Sequence, residues 1–187
     1  MTDPVPLSSQ DLVDPWQALD EGRVSLARAP ELYRALLSGL PAAALEADEG
    51  PGTWTPRQVL CHVLHAETDD WIPRVRILLE SGPSRAFTPF DREGGSATYA
   101  GRPLPGLLDE FARLRQASLA ALDGLELREA DLGRVGRHPE LGVVTLGQLL
   151  ACWVTHDWAH LAQISRILAR RYGALVGPWK AYFSLLR

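Results

Sequence analysis

Apolar residues recur along this chain at the three- and four-residue spacing of helices almost from end to end. Leu32, Leu36 and Leu40 close a first helical stretch that begins near Trp16. The residue before a proline disfavours the α region, so a break is predicted ahead of Pro30. The second helix has a sharp start at Thr55-Pro56-Arg57-Gln58: an N-cap threonine, proline at the first helical position and glutamine at the third, which is a capping box. Val59, Leu60, Val63, Leu64, Trp71, Val75, Leu78 and Leu79 supply its apolar face; Pro73 predicts a kink in its later half, and Ser81-Gly82-Pro83 stops it. Between 82 and 103 the helical period is lost among Gly, Pro and Ser, and a loop that long is usually functional or mobile.

A third helix from Leu104 to Leu125 turns Leu107, Leu108, Phe111, Leu114 and Leu122 inward, and GRVGRHPELGVV reads as a turn or short hairpin. A second capping box, Thr145-Leu146-Gly147-Gln148, opens a last long helix to about Tyr172, with Gly173 as its stop and GPWKAYFSLL as a short amphipathic tail. Four main helices and one long crossover loop predict an all-α four-helix bundle over residues 14–187, preceded by a loose arm over 1–13.

The last helix interrupts its own apolar stripe. Leu149, Trp153, His156, His160, Ile164 and Ile167 share a face, so two imidazoles one turn apart point where the core should be. Unpaired burial of a polar ring is costly, and a divalent metal taken by both rings would remove that cost. His62, seven residues past the cap of the second helix, lies beside the apolar stripe there and can face the same interior. Three imidazoles from two facing helices with an open fourth position are the arrangement of catalytic zinc-type sites.

Composition narrows the alternatives. A net charge of −4 with interspersed signs argues against a nucleic-acid partner. No run approaches the ~18 apolar residues of a membrane span. The start MTDPVPLSSQ lacks the basic and apolar regions of a signal peptide, so a cytoplasmic location is expected. Lys180 is the only lysine, which leaves little room for Schiff-base chemistry. Cys61 and Cys152 are expected to be small buried thiols, not a disulfide, although Cys152, one turn before His156, could close a metal site as a fourth ligand.

W-T-P-R-Q-V-x-x-H, from Trp54 to His62, resembles the opening motif of the DinB/YfiT-like metal-binding proteins, and T-L-G-Q-L-L-x(5)-H-D-x-x-H-x-x-Q-I, from Thr145 to Ile164, resembles their closing motif; G-P-W at 177–179 also recurs among them. The resemblance implies a four-helix bundle with one divalent transition metal, zinc, nickel or iron, on His62, His156 and His160. It implies thiol-dependent transfer, in which the metal activates a low-molecular-weight thiol such as bacillithiol or mycothiol against a small-molecule substrate, or metal-dependent hydrolysis, and it implies a homodimer. A second reading is a non-catalytic, stress-associated bundle that binds a metal or a small ligand, and a third, ranked last, is a plain helical dimerisation module in which the histidines are incidental.

One position departs from the resemblance: relatives commonly carry an acidic residue three after the first histidine, and this chain has His65, expected at the surface or behind the ligands. Glu67, Asp69 and Asp70 lie further down the second helix; Asp69, two turns beyond His62, could orient a substrate or act as a base, and a solvated charge is at least as good a reading. Asp157 points about 100° away from His156 and is expected in a salt bridge. Gln163 could hydrogen-bond a ligand, Trp54, Trp71, Trp153, Trp158 and Trp179 read as core and rim packing, and Arg85, Arg92 and Arg102 could meet an anion.

Overall fold

The computed structural model describes residues 14–186; the expected arm over 1–13 lies outside them. The chain order is α1 (Pro15–Leu37), α2 (Ala42–Leu45), α3 (Pro56–Asp69), α4 (Trp71–Ser81), α5 (Gly94–Thr98), α6 (Leu104–Asp123), β1 (Val135–His138), β2 (Gly142–Thr145) and α7 (Leu146–Arg170), with short 3-10 turns between and after them. Helices α1 and α3 each pack against α6 and α7, and α4 extends the α3 side of this four-helix bundle. No helix among the described residues is long and apolar enough to cross a membrane.

Both capping boxes form. Thr55 Oγ1 accepts from Gln58 N at 3.2 Å while Gln58 Oε1 accepts from Thr55 N at 2.9 Å, and Thr145 and Gln148 repeat both distances at the start of α7. These starts fix the rotational phase of the two helices that carry the histidines. Helix α3 is buried on nearly all sides, because α5 covers the flank left open by α6 and α7.

Prolines act differently from expectation at two places. Helix α1 runs unbroken through Pro30. Proline has no N–H for the carbonyl four residues earlier, which here is Leu26, and Nη1 of Arg115 on α6 donates to that carbonyl at 2.7 Å. A side chain from the neighbouring helix thus replaces the lost bond. At Pro73 the predicted kink is a full break: α3 ends at Asp69, the carbonyl Pro73 would have engaged, and α4 restarts at Trp71. Pro73 then falls in the first turn of α4, where a missing N–H costs little.

Arg115 is the centre of the bundle and is 1% exposed. Its Nε and Nη2 donate to Glu67 Oε1 of α3 at 3.0 and 2.7 Å, and its Nη1 and Nη2 donate to the Asp157 carboxylate of α7 at 2.6 and 3.1 Å. With the bond to Leu26, all five guanidinium donors are engaged and all four bundle helices are joined. The guanidinium also lies over the rings of Phe111 and Trp153, which belong to the two halves of the apolar core.

The 82–103 segment is more ordered than its composition suggests. Ala86 bridges to Arg137 of β1, and Gly94–Thr98 form α5, too short to show a helical period in the sequence. The β1–β2 hairpin turns through Pro139–Leu141, with Gly142 at φ +77° and backbone N–H groups of Glu140 and Leu141 donating to His138 Nδ1 at 3.1 Å.

Candidate metal centre

Helix α3 brings His62, and α7 brings His156 and His160, to one place. Their ligand atoms lie within 4.8 Å of one another, and His156 Nε2 sits 3.0 Å from His62 Nε2 and 3.1 Å from His160 Nε2. Two nitrogens bound to one tetrahedral zinc at 2.0–2.1 Å are about 3.3 Å apart, so the spacing suits a shared ion.

The outer ring atoms fix the tautomers. His62 Nδ1 is 3.1 Å from the Arg92 carbonyl, which can only accept, so Nδ1 carries the proton. His160 Nδ1 donates to Gln163 Oε1 at 2.8 Å, the role expected of Gln163. Both Nε2 atoms therefore present lone pairs to His156. Its own Nε2 can donate to one of them at most, and its Nδ1 is buried with no protein partner among the described residues. Protonation offers no relief. Burial pushes the His62 imidazole down to about 4 and that of His156 to about 2, and it lowers His160 as well; Arg92 adds to the depression of all three. Converging neutral lone pairs that resist protonation form a donor set suited to a divalent cation.

Aromatic walls hold the rings. Trp54 lies 4.5 Å from His62 and 6.0 Å from His160 between centroids, with its Nε1 donating to Glu93 at 3.1 Å. Trp71 stacks on Trp153 and meets His156 edge to face at 5.1 Å. The three histidines open into a cavity of about 370 Å³ bounded by the α3–α4 junction, the 89–92 loop, the hairpin and α7.

The loop that supplies the Arg92 carbonyl is pinned by Asp91, whose carboxylate accepts from Glu93 N and Gly94 N, and by α5 pressed onto α3. A Cβ at Gly95 would come within 2.4 Å of the Cys61 carbonyl oxygen, so this approach admits glycine only. Gly95→Ala is therefore expected to cost about 1–3 kcal/mol by overpacking, read by denaturant unfolding; an unchanged midpoint would show that α5 yields freely.

Other expected positions fall variously. His65 is buried under α5 against Phe90, outside the three-histidine group, with Nε2 3.5 Å from the exposed Asp69. Asp69 does not line the cavity; its neighbour Asp70 does. Glu67, read as a solvated charge, is buried on Arg115, and Asp157 makes the expected inter-helix salt bridge there. Cys61 is buried, but Cys152 is exposed at the cavity and outside the three-histidine group, because one turn before His156 it lies on the open side of α7. Trp71 and Trp153 are core residues, whereas Trp158 and Trp179 are largely exposed. Of the three loop arginines only Arg92 reaches the cavity; Arg102 lies over Tyr99, and Arg85 is exposed. Sequence reasoning did not single out Arg115, and it gave Asp70 no role beside Asp69. The signal for Arg115 was present, since it continues the inward stripe of Phe111, Ser118 and Leu122.

A sequence model of the DinB superfamily matches residues 25–164. The chain belongs to the DinB superfamily. Two relatives carry the name "putative metal-dependent hydrolase". One, from Oceanobacillus iheyensis, is 24% identical over 143 residues, 76% of this chain and 81% of the relative. The other, from Bacillus mycoides, is 26% identical over 164 residues, 87% of this chain and 88% of the relative. Among solved structures, YfiT from Bacillus subtilis, described as "a probable metal-dependent hydrolase with an unusual four-helix bundle topology", superposes with a TM-score of 0.70 at 23% identity, covering 92% of this chain and 94% of that one. That likeness establishes the shared DinB-type fold.

Proposed function

We propose that this DinB-superfamily protein holds one divalent transition metal on Nε2 of His62, His156 and His160 and uses it to activate a nucleophile against a small electrophile in the adjoining cavity. The observation that carries this reading is the convergence of three Nε2 atoms, two of them fixed as acceptors by the Arg92 carbonyl and Gln163. A metal bound there would lower the pKa of a water or thiol and polarise the substrate. The chain's own residues orient the imidazoles, wall the site with Trp54 and Trp71 and leave the cavity side open.

Water is the favoured nucleophile, in keeping with the hydrolase names of the two relatives. A low-molecular-weight thiol in its place would make the same site a transferase, the chemistry that the two histidine motifs resemble. Elemental analysis of untagged protein beside His156→Ala tests the metal. About one transition metal per chain, lost in the variant, is the expected result for a three-histidine site. No metal in either protein after incubation with zinc or nickel would overturn it.

A further inference from the structure

The carboxylates near this site have distinct fates. Glu67 and Asp157 are consumed by Arg115, Asp69 is exposed on His65, Glu93 accepts from Trp54, and Glu140 is exposed on the hairpin turn. Among the described residues, Asp70 is the one buried carboxylate that lines the cavity shared with His62, His156 and His160.

The backbone explains why it is not spent as a helix cap. Asp70 ends α3 and precedes α4, with φ −112° and ψ −71°. An aspartate in this place ordinarily spends its side chain capping the N–H groups of the next turn. Here the third position of α4 is Pro73, which has no N–H, and the Asp70 side chain caps nothing. Its backbone is nevertheless tied on both sides, by Asp70 N to the Ala66 carbonyl at 3.1 Å and by Arg74 N to its own carbonyl at 3.0 Å. The side chain instead meets Arg74, Nε to Oδ1 at 2.5 Å, as an ionic contact without the alignment of a hydrogen bond. Arg74 in turn lies over the Phe87 ring.

We propose that Asp70 is the proton-transfer group of this cavity and that Arg74 is its positioning residue. The inference rests on the metal-dependent reading of the three-histidine site. The carboxylate takes the proton from the attacking water or thiol as that atom bonds to the electrophilic carbon. When the bond to the leaving group breaks, the leaving atom keeps the electron pair and the Asp70 carboxyl returns the proton to it. Proton and charge balance over the cycle without a further reactant.

The electrostatics agree with this role. Burial raises the Asp70 carboxyl to about 6; Arg74 and His65 oppose the rise and Asp69 reinforces it. His62 from α3, His156, His160 and Cys152 from α7, His138 and Glu140 from the hairpin and Arg92 from the loop are the other titratable or charged groups around the same cavity. A carboxyl poised near neutrality can both accept and donate a proton during one turnover.

The test uses the zinc-loaded full chain, with 4-nitrophenyl acetate as the probe electrophile and Asp70→Asn and Asp70→Glu as variants. Both variants are expected to bind as much zinc as the wild type, since Asp70 lies outside the ligand set. Asp70→Asn should lower kcat at least tenfold and remove the acid limb of the pH profile, and Asp70→Glu should recover part of both; proton transfer contributes about 10²–10⁴-fold in general. Independently of turnover and of how the variants fold, the Asp70 carboxyl carbon of the wild type, followed by NMR without metal, should titrate near pH 6. Wild-type kcat and pH profile in a zinc-replete Asp70→Asn, a carboxyl that titrates in the ordinary range near pH ~4, or no zinc-dependent turnover by zinc-replete wild type would each overturn the assignment. Failure of the wild type to take up zinc is read separately, by its metal content, and defeats the metal-dependent reading together with the inference built on it.

Discussion

Arg115→Met should destabilise this protein by about 3–5 kcal/mol, the usual cost of stranding buried charges after one partner is removed. The substitution leaves Glu67 and Asp157 facing each other without their shared cation, and it frees the Leu26 carbonyl that Pro30 cannot satisfy. Total stabilities of natural domains are about 5–15 kcal/mol, so the loss is a large share. For a domain of this size it corresponds to a fall in Tm of roughly 6–20 °C. The origin of the loss is separable. In the triple variant Arg115→Met, Glu67→Gln, Asp157→Asn no charge is left at the bundle centre, and Trp153 Nε1, 3.2 Å from Glu67 Oε1, keeps an amide acceptor. That variant should regain at least half of the lost stability. A single substitution costing under ~1 kcal/mol would mean that the network is solvated and that the bundle does not depend on it.

The network also explains part of the site. Asp157 follows His156 directly, so the two side chains leave α7 about 100° apart. One is clamped at the bundle centre and the other faces the cavity. Clamping Asp157 and Glu67 to the same guanidinium fixes how α7 is rotated against α3, and that rotation determines whether His156 meets His62.

Much of this was legible in the sequence because it depends on local rules. Capping boxes at Thr55 and Thr145 set two helix starts, and the i, i+4 spacing of His156 and His160 placed both rings on one face. What was not legible depends on partners distant in sequence. Pro30 reads as a breaker until Arg115, 85 residues later, is seen to take the Leu26 carbonyl. Asp69 looked like the candidate base because α3 carries it two turns beyond His62 on nearly the same face. Its exposed side chain lies instead beside His65, one turn back, and the cavity takes Asp70, where α3 gives way to α4. His65 shows the same limit: only the packing of α5 and Phe90 reveals that it is covered yet outside the three-histidine group.

Zinc in thousandfold excess over its Kd should stabilise the wild type by about 4 kcal/mol through mass action, provided that it binds the folded chain alone. At roughly 2–4 °C per kcal/mol for a chain of this length, the rise in Tm is about 8–16 °C. His62→Ala should abolish the rise, because it removes the α3 contribution to a site that otherwise rests on α7 alone. His65→Ala should retain it. The pH dependence has a definite sign. Metal takes neutral imidazole, and protons compete only once the ring can be charged. An ordinary histidine is half-protonated near pH ~6.5. His62 and His156 are held down to about 4 and about 2, so the zinc effect should persist at mildly acidic pH and fade only toward pH 4. Without metal the same depression acts against the fold. As pH falls below the unfolded-state value, the unfolded chain binds protons that the native site refuses, and native stability declines. Thermal melts with and without zinc from neutral pH downward measure both effects. Equal zinc shifts in wild type and His62→Ala would place the ion elsewhere and sink the three-histidine site.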